Sequence, residues 1–199
     1  DIDMLAGPSE IAVLADDTAP ARFVAADLLS QAEHGTGWER ALLVTPSAEL
    51  IRQVEAELVR QSGLLSRQET VKKVLEEGTF LVQVDNLDQG MDLCNRFAPE
   101  HLELLVAEPL RWTRKVRTAG AVFAGPWTPE SAGDFVAGPS HVLPTGGTAA
   151  FFSGLSVESF RRRLSLVSFT RADLEETLPV IRSFGRVEAL DAHSRSATI

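Results

Sequence analysis

The stretch Ile11-Ala12-Val13-Leu14-Ala15 ends in Asp16-Asp17 and is followed by a helical pattern from about Pro20 to His34. A short, uninterrupted apolar run next to a helix reads as a strand buried on both faces. The alternation repeats downstream. Ala41-Leu42-Leu43-Val44-Thr45 leads into a helix from about Ser47 to Gln61 that carries Leu50, Val54 and Leu58 at helical spacing. Another helix spans about Arg67 to Glu76, Phe80-Leu81-Val82-Gln83-Val84 is a strand, and Leu87 to Phe97 is helical. Leu102, Leu104 and Val106 alternate with other residues and mark a further strand. Leu110 to Arg117 is helical, and Ala121-Val122-Phe123-Ala124 is the last strand candidate. These runs predict an α/β fold with a mainly parallel sheet flanked by helices. It is Rossmann-like but incomplete, since no G-x-G-x-x-G follows a strand.

From Gly125 the composition changes. Gly125, Pro126, Pro129, Gly133, Gly138, Pro139, Pro144, Gly146 and Gly147 make a long irregular segment, of a kind usually functional or disordered. Three helical patterns follow. Ser156 caps one bearing Phe160, Leu164 and Val167. Thr170 with Asp173 resembles a capping box for a second that carries Leu174, Leu178 and Ile181, with Pro179 as a kink or break. The last contains Glu188, Leu190 and His193. The expected organisation is an α/β domain over 1–150 with most of the candidate site, and a helical tail over 151–199. Tail helices with an apolar face and little to cover suggest docking on a second subunit.

A net charge of −9 argues against a nucleic-acid or anionic-membrane surface. No apolar run approaches the roughly 18 residues that a membrane span needs. The lone cysteine, Cys94, excludes an internal disulfide and fits a reducing compartment, so the expected location is the cytoplasm. The chain starts at Asp1-Ile2-Asp3, without Met or a signal peptide, as a fragment would.

The candidate chemistry gathers around four histidines. Gln31 and His34, three apart, leave the same side of a last helical turn that Gly35 can stop. A carboxamide oxygen and an imidazole at the negative end of a helix suit a divalent cation, with Asp27 one turn back to orient them. The same residues also read as a solvated, capped helix end. Glu100-His101, just before a strand, offer two proton carriers at one sheet edge, or else an exposed turn. Asp134, among glycines in Ser131-Ala132-Gly133-Asp134-Phe135, is a site carboxylate or an ordinary turn aspartate. His141 and His193 complete the set. No P-loop, C-x-x-C or H-E-x-x-H is present, and Ser9 is not in a nucleophile elbow.

Several segments closely resemble histidinol dehydrogenase, in order and spacing, over essentially the whole chain. They are Ala6-Gly7-Pro8-Ser9-Glu10, the run from Asp27 to Gly35, Ala98-Pro99-Glu100-His101-Leu102, the run from Pro129 to Asp134, and the run from Gly138 to Gly147. The chain resembles the C-terminal half of that enzyme. The resemblance implies a cytoplasmic, zinc-dependent oxidoreductase of histidine biosynthesis. Such an enzyme takes L-histidinol to L-histidine through histidinal in two NAD-dependent steps. By position it implies Gln31, His34, Asp134 and His193 as zinc ligands that also meet the substrate, and Glu100 and His101 as the acid–base pair. It further implies Ser9 and Glu188 as substrate contacts, together with His101, and a homodimer whose tail brings Glu188 and His193 to the partner's site. NAD-binding residues are expected mostly upstream of Asp1. Other readings are a relative that oxidises another polar alcohol, or a catalytically incomplete zinc-binding and dimerisation fragment.

Overall fold

The structure, a computed structural model, describes residues 7–198. Ala6 and the Asp1-Ile2-Asp3 start lie outside the described residues. The chain divides into two compact units, with the break between Phe160 and Arg161.

The first unit is built on five strands: β1 (Glu10–Ala15), β2 (Arg40–Thr45), β3 (Thr79–Gln83), β4 (His101–Leu105) and β5 (Ala121–Ala124). Their order is β3-β2-β1-β4-β5, and every neighbouring pair is parallel. The helices are α1 (Ala21–Ala32), α2 (Ala48–Ser62), α3 (Gln68–Glu77), α4 (Leu87–Phe97), α5 (Pro109–Trp112) and α6 (Glu130–Phe135). Because side chains alternate along a strand, β1 feeds two cores. Ile11, Val13 and Ala15 pack with Val24 and Leu28 of α1, Leu50 and Val54 of α2, and Val71 and Val74 of α3. Ala12 and Leu14 pack on the other face with Met91 and Cys94 of α4 and Leu102 and Leu104 of β4. The central strands have no solvent-facing side, which is why they read as continuous apolar runs.

Strand and helix ends follow local chemistry. Ser47 Oγ accepts the Leu50 N–H to open α2, and Asn86 Oδ1 accepts the Gln89 N–H to open α4. Helix α4 ends at Ala98, a non-glycine residue in the left-handed region (φ 51°, ψ 59°). This turn costs on the order of 1 kcal/mol and launches Pro99-Glu100-His101 onto the sheet edge. Gly120 leads into β5 against that edge, and a Cβ there would lie 2.6 Å from the Glu100 carbonyl oxygen. Gly120→Ala must therefore move backbone beside Glu100. The expected destabilisation is about 1–3 kcal/mol, read from urea unfolding midpoints. Unchanged midpoints would show that this approach is not tight.

The second unit holds α7 (Arg171–Val187) and α8 (Asp191–Ser196). The expected capping box is present: Thr170 Oγ1 accepts the Asp173 N–H, and Asp173 Oδ2 accepts the Thr170 N–H. Pro179 does not end α7, which continues through it. The helix expected after Ser156 does not form. Only a 3-10 turn, Val157–Phe160, appears, and residues 161–170 have no regular structure. Leu164, Leu166, Val167 and Phe169 of that segment are exposed. A helix with nothing to pack on is marginal, and the Ser, Val, Phe and Thr that close this run, Ser165 to Thr170, do little to favour one. Among the described residues, no helix is long and apolar enough to cross a membrane.

Candidate active site

Parallel α/β sheets usually bind ligands beyond the carboxyl ends of their strands. Here the chemistry collects at the opposite edge. Glu10 and His101 are the first residues of β1 and β4, His101 pairs with Ile11 in register, and the last turn of α1 arrives at the same edge.

His101 is 2% exposed, and its Nδ1 lies 3.1 Å from Gln31 Oε1. Facing a carbonyl oxygen, Nδ1 carries the ring hydrogen, which leaves a lone pair on Nε2. That Nε2 is buried and without a hydrogen-bond partner, 3.8 Å from Glu130 Oε1, which is also buried and unpartnered. The other Glu130 oxygen accepts from Ser30 Oγ at 3.0 Å. Glu130 and Asp134, four apart on α6, share a helix face. Ligand atoms of His101, Glu130 and Asp134 all fall within 4.8 Å of one another.

Glu100 is held by the backbone N–H of Glu10, which donates to its Oε2 at 3.1 Å, and by Ser9. Glu10 in turn accepts the Gly146 N–H at 3.1 Å and so ties the Gly-rich loop to the strand edge. His34 Nδ1 sits 3.1 and 3.2 Å from the carbonyl oxygens of Ser30 and Gln31. A ring nitrogen committed to helix-end carbonyls leaves the other free for a ligand, the usual arrangement of a metal-binding histidine. Ser30, His34, Glu130 and Asp134 line one open hollow of about 470 Å³ together with Arg67.

Burial sets the electrostatics. It raises the carboxyls of Glu10 and Glu103, lifts Asp27 to about 6, and lifts Glu100 and Glu130 to about 7. Burial likewise pushes His101 down to about 4, so its imidazole is neutral at physiological pH. A neutral imidazole and a carboxyl poised near neutrality make an acid–base pair. Concentrated carboxyls with unpartnered buried atoms suit a cation, and a set of nitrogen and oxygen donors without thiolate is one that zinc accepts.

The first unit thus brings together Gln31, His34, Glu100, His101 and Asp134, with Ser9 against Glu100. Glu188 and His193 belong to the second unit, the former capping α7 and the latter within α8, and both are exposed. Sequence reasoning gave no role to Glu10, Glu103 or Glu130. Glu130 had a usable signal, its spacing of four from Asp134.

A family model described as histidinol dehydrogenase matches residues 1–199. Histidinol dehydrogenase of Heliobacterium mobile is 47% identical over 199 residues, covering 100% of this chain and 46% of that protein. The Moorella thermoacetica enzyme is 50% identical over 196 residues, 98% of this chain and 46% of that protein. A crystal structure of histidinol dehydrogenase from Elizabethkingia anophelis superimposes with a TM-score of 0.94 at 36% identity, covering 98% of this chain and 45% of that one. The chain spans about half the length of the relatives it matches. Over that span the chain belongs to the histidinol dehydrogenase family.

Proposed function

We propose that this chain carries the acid–base and metal-binding part of a cytoplasmic L-histidinol dehydrogenase, which oxidises L-histidinol to L-histidine through histidinal with two NAD. The observation that carries the reading is the pair at the start of β4: a neutral, buried His101 with a free Nε2, next to a Glu100 whose carboxyl is poised near 7. His101 accepts the alcohol proton at Nε2 while Gln31 holds its Nδ1. Glu100 takes a proton from water for attack on the aldehyde, and the hydrogen bonds from the Glu10 N–H and Ser9 aim its carboxylate. Gln31, His34 and Asp134, with His193 contributed by the second unit of another copy of the chain, would hold one zinc ion. The Gln31 carbonyl oxygen keeps a second lone pair for this beside its bond to His101. Bound zinc supplies orientation and polarisation of the substrate, and NAD accepts the electrons. Ser9 and Glu188 would contact the substrate, the Glu188 carboxylate being suited to a cationic amine. Residues for NAD are expected mostly upstream of Asp1. The protein would act as a homodimer whose second unit completes the partner's site.

Zinc drawn from separate segments stabilises the fold by mass action, by about 4 kcal/mol when free metal is roughly 1,000-fold above Kd. Purified full-length protein is therefore expected to contain one zinc per site and to melt at a lower temperature after chelation, with recovery on adding zinc. A panel of polar alcohols should show L-histidinol turned over in preference to anionic alcohols. Absence of stoichiometric zinc together with an unchanged melt would sink the metal assignment, and preference for another alcohol would sink the substrate.

A further inference from the structure

Glu103 is two residues beyond His101 on β4 and 1% exposed, yet nothing in the proposed chemistry uses it. His101 and Glu103 point to the same face of the sheet, the one that α1 covers, while Leu102 and Leu104 pack in the opposite core. Across from them stand Gln31 and Asp27, four apart on α1. Helix α1 runs back along the sheet against the strand direction. Four helical residues rise about 6 Å and two strand residues about 6.6 Å, so the two spacings match. The result is two polar rungs between β4 and α1. One is His101 Nδ1 with Gln31 Oε1, and the other is Glu103 facing Asp27.

The second rung reaches a third element. Glu103 Oε1 accepts the backbone N–H of Glu130 at 3.1 Å, in a fully buried contact between residues 27 apart in sequence. Glu130 is the first residue of α6, and its amide is one of the donors that a helix start leaves without an internal partner. Pro129 before it extends the chain and supplies no side-chain cap. Glu130 and Asp134 are the carboxylates that α6 brings beside His101, and the register of both depends on where that first turn is pinned.

We propose that Glu103 is a positioning residue: its buried carboxyl pins the first turn of α6 to β4 and α1, and so sets where Glu130 and Asp134 stand relative to His101. The assignment rests on the reading of Asp134 as a zinc ligand. Burial and the facing Asp27 carboxyl both raise Glu103 well above the usual carboxylate range; its Oε1 takes the Glu130 N–H, while Oε2 is buried without a hydrogen-bond partner. A carboxylate strand residue is an unusual choice for a fully buried position unless such partners are supplied.

The test compares Glu103→Gln with Glu103→Met in full-length protein, reading zinc affinity by chelator competition beside the thermal melt of the zinc-free form. Gln keeps an oxygen for the Glu130 N–H and can donate to Asp27, so it should retain native affinity. Met fills the space without an acceptor, and should weaken zinc binding by about 10- to 100-fold, as loss of groups supporting a ligand usually does. A merely structural role would lower both melts and leave the affinity of the folded protein unchanged. That outcome, or equal loss in Gln and Met, overturns the proposal. Amide hydrogen exchange of the unsubstituted protein decides the matter if Glu103→Met does not fold. The Glu130 amide should be protected like the amides of β4, and exchange at open-loop rates would refute the anchor. If the unsubstituted protein binds no zinc, the ligand reading fails by itself, and Glu130 exchange still judges Glu103.

Discussion

His101→Asn in the full-length protein should lower turnover by about 10²–10⁴-fold while zinc content stays at one per site. The loss corresponds to about 3–5 kcal/mol of barrier. Asn can still donate toward Gln31 Oε1 in place of Nδ1, so the helix-to-strand rung survives, but it offers no lone pair of comparable basicity where Nε2 stands. Loss of metal along with activity would instead make His101 a ligand, which its place within 4.8 Å of Glu130 and Asp134 keeps as a live outcome. The companion substitution Glu100→Gln separates the two oxidations. It should impair oxidation of supplied histidinal far more than oxidation of histidinol, since only the aldehyde step needs activated water. The pH dependence follows from the carboxyl lying near 7: the carboxylate is the active form, so the aldehyde step should quicken as pH rises through about 7 and flatten above it. Glu100→Gln should abolish that rise. Equal damage to both steps would end the division of labour.

How much of this was legible in the sequence depended on whether a residue's partners were local. Helix α2 announced itself through Leu50, Val54 and Leu58 at helical spacing, and the strands through apolar runs, because burial on both faces leaves no polar alternation. The capping box at Thr170 was equally local. The pairing of Gln31 with His34 and of Glu100 with His101 could be read from spacing, but their convergence could not. It depends on β1 and β4 lying side by side in a parallel sheet, with α1 returning to the edge where both begin. Glu103 was invisible for a different reason. In His101-Leu102-Glu103-Leu104-Leu105 it sits at the polar position of an alternating strand, which suggests a solvated face. A central strand covered by helices on both sides has no such face, so the glutamate had to be buried and paired. The segment after Ser156 failed in the opposite direction. Its apolar spacing was real, but spacing alone does not make a helix without a surface to pack on.

Mixing full-length His193→Ala with full-length His34→Ala should restore activity that neither variant has alone. The second unit carries Leu164, Leu166, Val167, Phe169, Val180, Phe184 and Val187 exposed, a concentration of large apolar side chains that single soluble chains rarely leave in water. Covering them on a second copy removes apolar area at roughly 25 cal/mol per Å², and twofold symmetry then gives two equivalent sites. If His193 serves the partner's Gln31, His34 and Asp134, a mixed dimer has one whole site. That site takes its α1 ligands from the His193→Ala subunit and its tail from the His34→Ala subunit, while the other site lacks both histidines. Random exchange makes about half the dimers mixed, so about a quarter of native activity should return, with a matching return of bound zinc. Subunit exchange shown by mass, with no recovery of either signal, would mean that each tail serves the site of its own chain.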